Sequence, residues 1–373
     1  LNQCIKLTKK KLIDSIGLRL RADVPVAVCL SGGVDSSIIA SVAVKKFKKK
    51  IQTFSIIDSD KRYDERANIT HNLNNIKCKG NFIKLEREKN LNRISKMIKS
   101  RSEPFATTTY YIHSHLMNAV NKKKHKVCLL GTAADELFAG YYDHYLLQLH
   151  DIKNDKLLFK KHTLDFKKHI KKFIRNPNLQ STNKYIINPN DTDHIFDDRD
   201  ILEKFLLKKT KKDYIELKQT KSLLRNRMLN ELFKEITPVI LNQDDLNSMY
   251  YSVENRSPFL DKKLVEFAFT IPSKFLIKDG FNKYILRNAF KNIVSPKILK
   301  DRKKIGFNAS VNTIFDLKNK NMRKILLDKK SPVFKYVKRE QVKKLLEKDY
   351  FPNSISKFFF NFINAKIFLE QNK

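Results

Sequence analysis

The sequence is short of glycine, with 8 in 373 residues, and short of acid, with 39 Asp and Glu against 76 Lys and Arg. A net charge of +37 invites a nucleic-acid reading, because Lys and Arg neutralise phosphates. The basic residues are spread along the whole chain among many Asn, Ile and Phe. That is a global compositional bias, and it argues against a dedicated nucleic-acid surface. Cysteine is sparse too. Cys4, Cys29, Cys78 and Cys128 form no Cys-x-x-Cys pair, which excludes a zinc ribbon. Cys29 and Cys128 fall in apolar runs, where cysteine behaves as a small buried hydrophobe. A reducing, cytoplasmic setting follows, and no secretory signal is read at the start. Long apolar runs are missing: the richest stretch, residues 358–363, is too short to cross a bilayer, so no membrane partner is expected. With 41% apolar residues there is material for a real core, and the length allows two or three domain-sized units or one large one. The opening residue is Leu1, which suggests a piece of a longer protein.

What is present centres on Leu30, Ser31, Gly32, Gly33, Val34, Asp35, Ser36 and Ser37. The apolar run 24–29 precedes this string and a helix-like run, 38–44, follows it, so the order is strand, glycine turn, helix. The glycines let a ligand approach the main chain. The helix start offers free N–H groups and partial positive charge, a seat for phosphate. Ser31, Ser36 and Ser37 add hydroxyls. Asp35 beside a phosphate makes sense with Mg²⁺ between them. No Walker A pattern is present. The string SGGVDSS resembles the pyrophosphate loop of the ATP pyrophosphatases, which cleave ATP between its α and β phosphates. The bland alternative is an ordinary strand-to-helix turn with a Ser/Asp cap.

Along the chain, helical spacing covers 5–22. Strand-like runs follow at 51–57, 81–85 and 126–130, separated by helical stretches near 63–76, 89–99 and 107–122. The alternation predicts an α/β fold with a parallel sheet covered on both faces. Ligands of such sheets sit beyond the carboxyl ends of the strands, so the loops at Ser31 and Gly131 can share one site. After Gly131 come Thr132, Ala133, Ala134, Asp135 and Glu136. Asp135 can face Asp35 as a second carboxylate of a Mg²⁺ shell. The alternative, for Glu136 above all, is an acidic helix start serving the dipole only. From 142 the strand signal fades. Residues 150–220 read as a Lys-rich insertion of helices and loops with a solvated face. The segment 244–257 reads as a helix broken before Pro258, with Glu254 and Arg256 near the break, either ion-paired for structure or touching ligand. The expected layout is a core over 1–142, a basic helical insertion over 143–222 and a helical remainder over 223–373.

Five strings agree in order and spacing: DVPVAVCLSGGVDSS, TFSIIDSDKRYDE, LLGTAADELFAGY, SVENRSPFLD and KYILRNAF with RKKIGF. Together they resemble the synthetase domain of the glutamine-hydrolysing asparagine synthetase family, from about residue 5 to 370. The resemblance implies a five-stranded parallel sheet of the adenine-nucleotide alpha hydrolase type, flanked by helices, with an added helical C-terminal part. It implies a substrate carboxylate attacking the α-phosphate of Mg-ATP, and ammonia then displacing AMP. By position it implies Ser31, Gly32, Gly33, Asp35, Ser36 and Ser37 on pyrophosphate, and Asp35 with Asp135 on Mg²⁺. Leu30, Ser55, Ile56 and Gly131 would line the nucleotide pocket. Lys304 and Lys283 would stabilise phosphate charge, with Asp135 and Glu136 beside them. Thr132, Asp245, Glu254 and Arg256 would lie near the acceptor.

Two departures carry weight. Where the family commonly reads Ser-Gly-Glu-Gly-Ala-Asp-Glu, residues 130–136 read Leu-Gly-Thr-Ala-Ala-Asp-Glu, so Thr132 replaces a glutamate and aspartate is questionable as substrate. The resemblance extends to relatives that amidate other carboxylates, for instance in surface polysaccharide pathways. The family's N-terminal glutaminase is also absent from these residues. It needs a cysteine as first mature residue, so the expected nitrogen source is free ammonia or a glutaminase domain or subunit upstream. The competing readings are a tRNA-modifying pyrophosphatase using the same loop, and a nucleotide-binding relative without catalysis.

Overall fold

The computed structural model describes residues 1–372 apart from 62, 88, 194, 196–201, 209–213, 305, 349–350 and 352. Parts of the basic stretch 150–220 therefore lie outside the described residues. The first two-fifths of the chain alternate as the spacing predicts. Helix α1 (Asn2–Arg19) leads into β1 (Val26–Cys29), α2 (Val34–Lys45), β2 (Gln52–Ile57), α3 (Arg66–Ile76) and β3 (Gly80–Lys84). Then come α4 (Asn90–Arg101), α5 (Thr108–Lys122), β4 (Val127–Leu129), α6 (Ala134–Phe138) and α7 (Tyr142–Asp151).

These strands form one five-stranded parallel sheet in the order β3-β2-β1-β4-β5. This is the adenine-nucleotide alpha hydrolase type of sheet, flanked by helices, with a further helical region C-terminal to it. The fifth strand, β5 (Glu254–Arg256), lies inside the segment that reads from sequence as a broken helix. The helix there ends at Tyr250, and the next residues pair as an edge strand, Val127 with Glu254 and Leu129 with Arg256. A three-residue polar edge strand carries neither an apolar run nor an alternating pattern, the signals by which a strand is read.

Side chains alternate across the sheet. Val28, Val127 and Leu129 pack on one face with Leu12, Ile16, Ile38 and Ile39 of α1 and α2. Ala27, Phe54 and Cys128 pack on the other with Leu116, Met117 and Val120 of α5. The chain runs from β1 outward to β3, then returns to place β4 on the other side of β1. That reversal opens a crevice at the carboxyl ends of β1 and β4, the usual place for a ligand in such sheets.

Later helices include α8 (Lys156–Asp165), α9 (Lys184–Ile187), α10 (Leu223–Asn230), α11 (Thr237–Tyr250), α12 (Lys262–Thr270), α13 (Tyr284–Ala289) and α14 (Pro296–Lys300). Helix α11 packs on α5, and α12 and α13 pack on α1. The phenylalanine-rich stretch near the end is part of the helix Asn353–Gln371; Phe359, Phe360 and Ile363 form a separate core with Ile94, Met97 and Ile98 of α4. No helix among the described residues is long and apolar enough to cross a membrane.

Ala133, just before α6, is buried with φ +73°. The left-handed region costs an L-residue about 1–2 kcal/mol, and a glycine escapes that cost at an entropic penalty of about 0.5–1 kcal/mol. Ala133→Gly is expected to stabilise the fold by about 0.5–1 kcal/mol, seen as a rise of about 1–3 °C in the thermal midpoint. An unchanged or lower midpoint counts against it.

Candidate active site

The crevice is a cleft of about 740 Å³, in the upper part of the range for small-molecule sites and roomy enough for a nucleotide with a second small ligand. Its floor is the loop between β1 and α2. Gly32 takes φ +76°, and a side chain there would press on Asn68 and the backbone of Ile69. The serines hold the loop in shape. The backbone N–H of Ser31 donates to Ser36 Oγ at 3.2 Å, Gly33 N–H donates to Ser31 Oγ at 3.4 Å, and Ser36 Oγ donates to the Gly33 carbonyl at 3.4 Å. Leu30, Ser31, Gly32, Gly33, Asp35 and Ser36 all line the cleft, as do Ser55, Ile56, Gly131 and Thr132. Ser55 is spent on the scaffold: its hydroxyl donates to the Leu30 carbonyl at 2.6 Å, tying β2 to the end of β1. Ser37 is fully buried beneath the loop and does not line the cleft.

Four charged groups meet at the mouth of this loop. Lys283 Nζ lies 2.5 Å from Asp35 Oδ2 and 2.8 Å from Asp135 Oδ1. Lys304 Nζ lies 2.7 Å from the same Asp135 oxygen. Burial pushes the Asp35 carboxyl up, and Lys283 only partly offsets it. Burial also acts on Asp135, but Lys283 and Lys304 together overcome it and hold that carboxyl well below the usual range. Lys283 is itself buried; burial alone would lower its pKa, and the two carboxylates raise it instead. Close approach is possible because residue 140 is glycine. A Cβ at Gly140 would fall 1.7 Å from Asp135 Oδ1 and 2.4 Å from Lys283 Cε.

The lysines are placed by groups absent from the sequence prediction. Asn282 donates from Nδ2 to the Gly140 carbonyl at 2.7 Å, locking the segment that presents Lys283. Buried Arg287 donates to the carbonyls of Asn282, Leu299 and Asp301, which pins the loop bearing Lys304. Lys304 donates its backbone N–H to Tyr142 Oη at 3.1 Å, and its ammonium stands 3.8 Å over the Tyr141 ring. Arg287 lies within the string KYILRNAF, yet nothing in that string says that its donors are spent on carbonyls. The tyrosines carry no signal beyond their aromatic character.

The structure does not bring every expected residue to the cleft. Asp245 is exposed on α11 and points away; its neighbour Asp244, about 100° around the helix, lines the cleft instead. Glu254 is exposed on the edge strand. Arg256 is committed to structure, pairing with Glu254 at 2.7 Å and donating to the carbonyls of Arg19 and Arg21. Glu136 is buried behind the cleft wall, where its Oε1 accepts from Tyr141 Oη at 2.6 Å. Burial, with the charge of Asp135 second, pushes its carboxyl up to about 7.

The donor set suits a hard divalent cation. Asp35 and Asp135 offer carboxylate oxygens to one point, and Asp35 Oδ1 is buried without a hydrogen-bond partner among the described residues. Backbone N–H groups at the start of α2 and two ammonium groups suit a polyphosphate next to it.

A parallel sheet with an SGGxDS loop at its switch point defines a nucleotide-binding α/β protein of the ATP-pyrophosphatase kind. The asparagine synthase family model matches residues 7–356, and the chain belongs to that family. It is 28% identical over 368 residues to asparagine synthetase [glutamine-hydrolyzing] 1 of Bacillus subtilis, covering 93% of this chain and 56% of that protein. It is 24% identical over 349 residues to amidase chyE of Penicillium rubens, covering 81% of this chain and 52% of that protein. A putative asparagine synthetase [glutamine-hydrolyzing] 2 of Methanocaldococcus jannaschii shares 32% identity over 138 residues, 36% of this chain and 26% of that protein. The chain thus spans about half the length of the first two relatives.

Glu65 also lines the cleft. Burial, helped by the nearby charges of Asp301 and Asp64 and opposed by Lys303, pushes its carboxyl up to about 8. A carboxyl whose folded pKa exceeds its free value adds stability below the free value, and that contribution is lost as pH rises through the folded value. Glu65→Gln is therefore expected to raise the thermal midpoint of the ligand-free protein at about pH 9 and to leave it unchanged at about pH 4. Equal effects at both pH values would show that Glu65 ionises normally.

Proposed function

We propose that this chain is an ATP-dependent amide-forming synthetase that activates a small carboxylic acid by adenylation. The acid's carboxylate oxygen attacks the α-phosphorus of ATP, forming an acyl-adenylate and releasing pyrophosphate. Ammonia then attacks the acyl carbon, AMP leaves, and a proton lost from nitrogen completes the amide. The observation that carries this reading is the convergence of Asp35, Lys283, Asp135 and Lys304 at the mouth of the serine–glycine loop.

In this scheme Ser31, Gly32, Gly33 and Ser36 cradle the departing pyrophosphate, and the start of α2 adds its N–H groups. Leu30, Ile56 and Gly131 line the nucleoside pocket, with Ser55 holding Leu30 in place. Asp35 and Asp135 would hold Mg²⁺, which neutralises phosphate charge when bound. Lys283 and Lys304 stabilise the negative charge that develops as the α–β bond breaks. Tyr141 keeps Lys304 extended over its ring. Thr132 faces the acceptor side, and its hydroxyl is a neutral replacement for a carboxylate. Ammonia is supplied free or by a glutaminase domain or subunit.

Pyrophosphate release from Mg-ATP with ammonium and a panel of carboxylic acids tests the reading. Release should depend on one class of acid. Lys304→Met should lower its rate by about 10²–10³-fold, the scale for losing one preorganised charge stabiliser, while ATP binding is retained. ATP bound with no acid-dependent release would sink the proposal, and so would a Lys304→Met protein of full activity.

A further inference from the structure

Away from the phosphate loop the cleft has a second wall, built by the start of α5 and one face of α11. Ile240 and Asp244, four residues apart, share a helix face, and Ile236, just before the helix begins, lines the cleft with them. Tyr110 and His113 join them from α5. This wall borders the same cleft as Thr132 and Tyr141. Its polar end is a buried pair: Asp244 Oδ1 lies 3.2 Å from His113 Nδ1, and the residues are 8% and 5% exposed.

The contacts around His113 distinguish its two ring nitrogens. Asn247 Nδ2 donates to the Tyr110 carbonyl at 2.7 Å and stands farther from His113 Nδ1, at 3.4 Å. Nδ1 is the ring nitrogen that Asp244 engages, and Nε2 is the one left over. Nε2 is buried with no hydrogen-bond partner among the described residues. The wall thus ends in a carboxyl group and an unpartnered ring nitrogen, reached along two isoleucines. Neither α5 nor α11 contributes a lysine or arginine to the cleft lining. An ammonium group placed here would pair with Asp244 and offset the burial that otherwise pushes its carboxyl up, whereas a second carboxylate would add like charge to the same poorly solvated site.

We infer that this wall holds the far end of the acceptor, and that the acid amidated here carries an ammonium group remote from its reacting carboxylate and no second carboxylate. The inference rests on the amide-forming reading and names its substrate class: ω-amino acids and their relatives. Aspartate brings the ammonium together with an extra carboxylate that nothing on this wall balances. Asp244 and His113 are specificity-determining residues, set apart from the charge cluster that handles the phosphates.

The test uses the full chain with Mg-ATP and ammonium and follows pyrophosphate release. β-Alanine, 4-aminobutanoate and 5-aminopentanoate are compared with butanoate, succinate and aspartate. At least one amino acid of the first group should exceed butanoate, succinate and aspartate by about tenfold or more in kcat/KM. Asp244→Asn should remove that preference by raising KM for the amino acids about tenfold while their kcat changes much less, a split that a purely structural role would not produce. If Asp244→Asn does not fold, His113→Gln probes the same pair. Release by acids with no preference for the amine, or with preference for succinate or aspartate, overturns this inference alone. Release stimulated by no acid, with ATP still bound, overturns the amide-forming reading and this inference with it.

Discussion

Everything at this site depends on one buried balance of charge: two carboxylates, Asp35 and Asp135, held together by the ammonium of Lys283. Buried ions are tolerated only when paired, and deleting one partner of such a pair typically costs about 3–5 kcal/mol. Lys283 is enclosed from both sides, at 2.5 Å by Asp35 and at 2.8 Å by Asp135. Those two contacts join three parts of the chain far apart in sequence: the start of α2, the start of α6 and the turn before α13. Lys304 attaches a fourth through Asp135. The cleft can keep its shape while half its walls are loops because these ionic contacts take the place of an apolar core at its mouth.

The arrangement is braced from behind. Tyr141 joins Lys304 above it to Glu136 below, and its ring meets that of His144 edge-on at 5.2 Å. His144 bonds Glu231 at 2.8 Å, and Glu231 bonds Arg227 at 3.0 Å. Arg227 forks on to Glu216 and Glu235, each at 2.6 Å. Asp143, His144 and Glu231 stand close enough together to share a cation. The Arg227 guanidinium takes that place, with Nε 3.0 Å from Glu231 and 3.7 Å from Asp143. Helix α10 runs into a wider π-turn at Glu231–Glu235, where this network forms. Such turns often mark sites where side chains must be re-aimed. Here the effect is to anchor the corner between α6 and α7 that carries Asp135 and Tyr141.

Much of the fold is legible in the sequence. Four of the five strands fall where strand-like runs are read, and the central strands of a buried parallel sheet write themselves as apolar runs. The fifth does not, because Glu254–Arg256 is short, polar and at an edge. The glycine turn between β1 and α2 is equally legible, since the string falls between an apolar run and a helical one. Lys283 and Lys304 were singled out by resemblance; among so many lysines, composition marks neither. Asp244 and Asp245 show the limit most clearly. Adjacent identical residues differ only in which way the helix faces, and the packing of α11 on α5 sets that angle.

The sequence by itself determined the alternation of the first four strands with their helices and the family, because these follow from local period and motif spacing. Only the tertiary structure decided which charges meet. It drew Asp35, Asp135, Lys283 and Lys304 together, spent Arg256 and Glu254 on the scaffold, turned Glu136 inward against Tyr141 and set Asp244 beside His113. Local propensity acts over a few residues, whereas a buried ion finds its partner across more than a hundred, and nothing in the linear pattern encodes that distance.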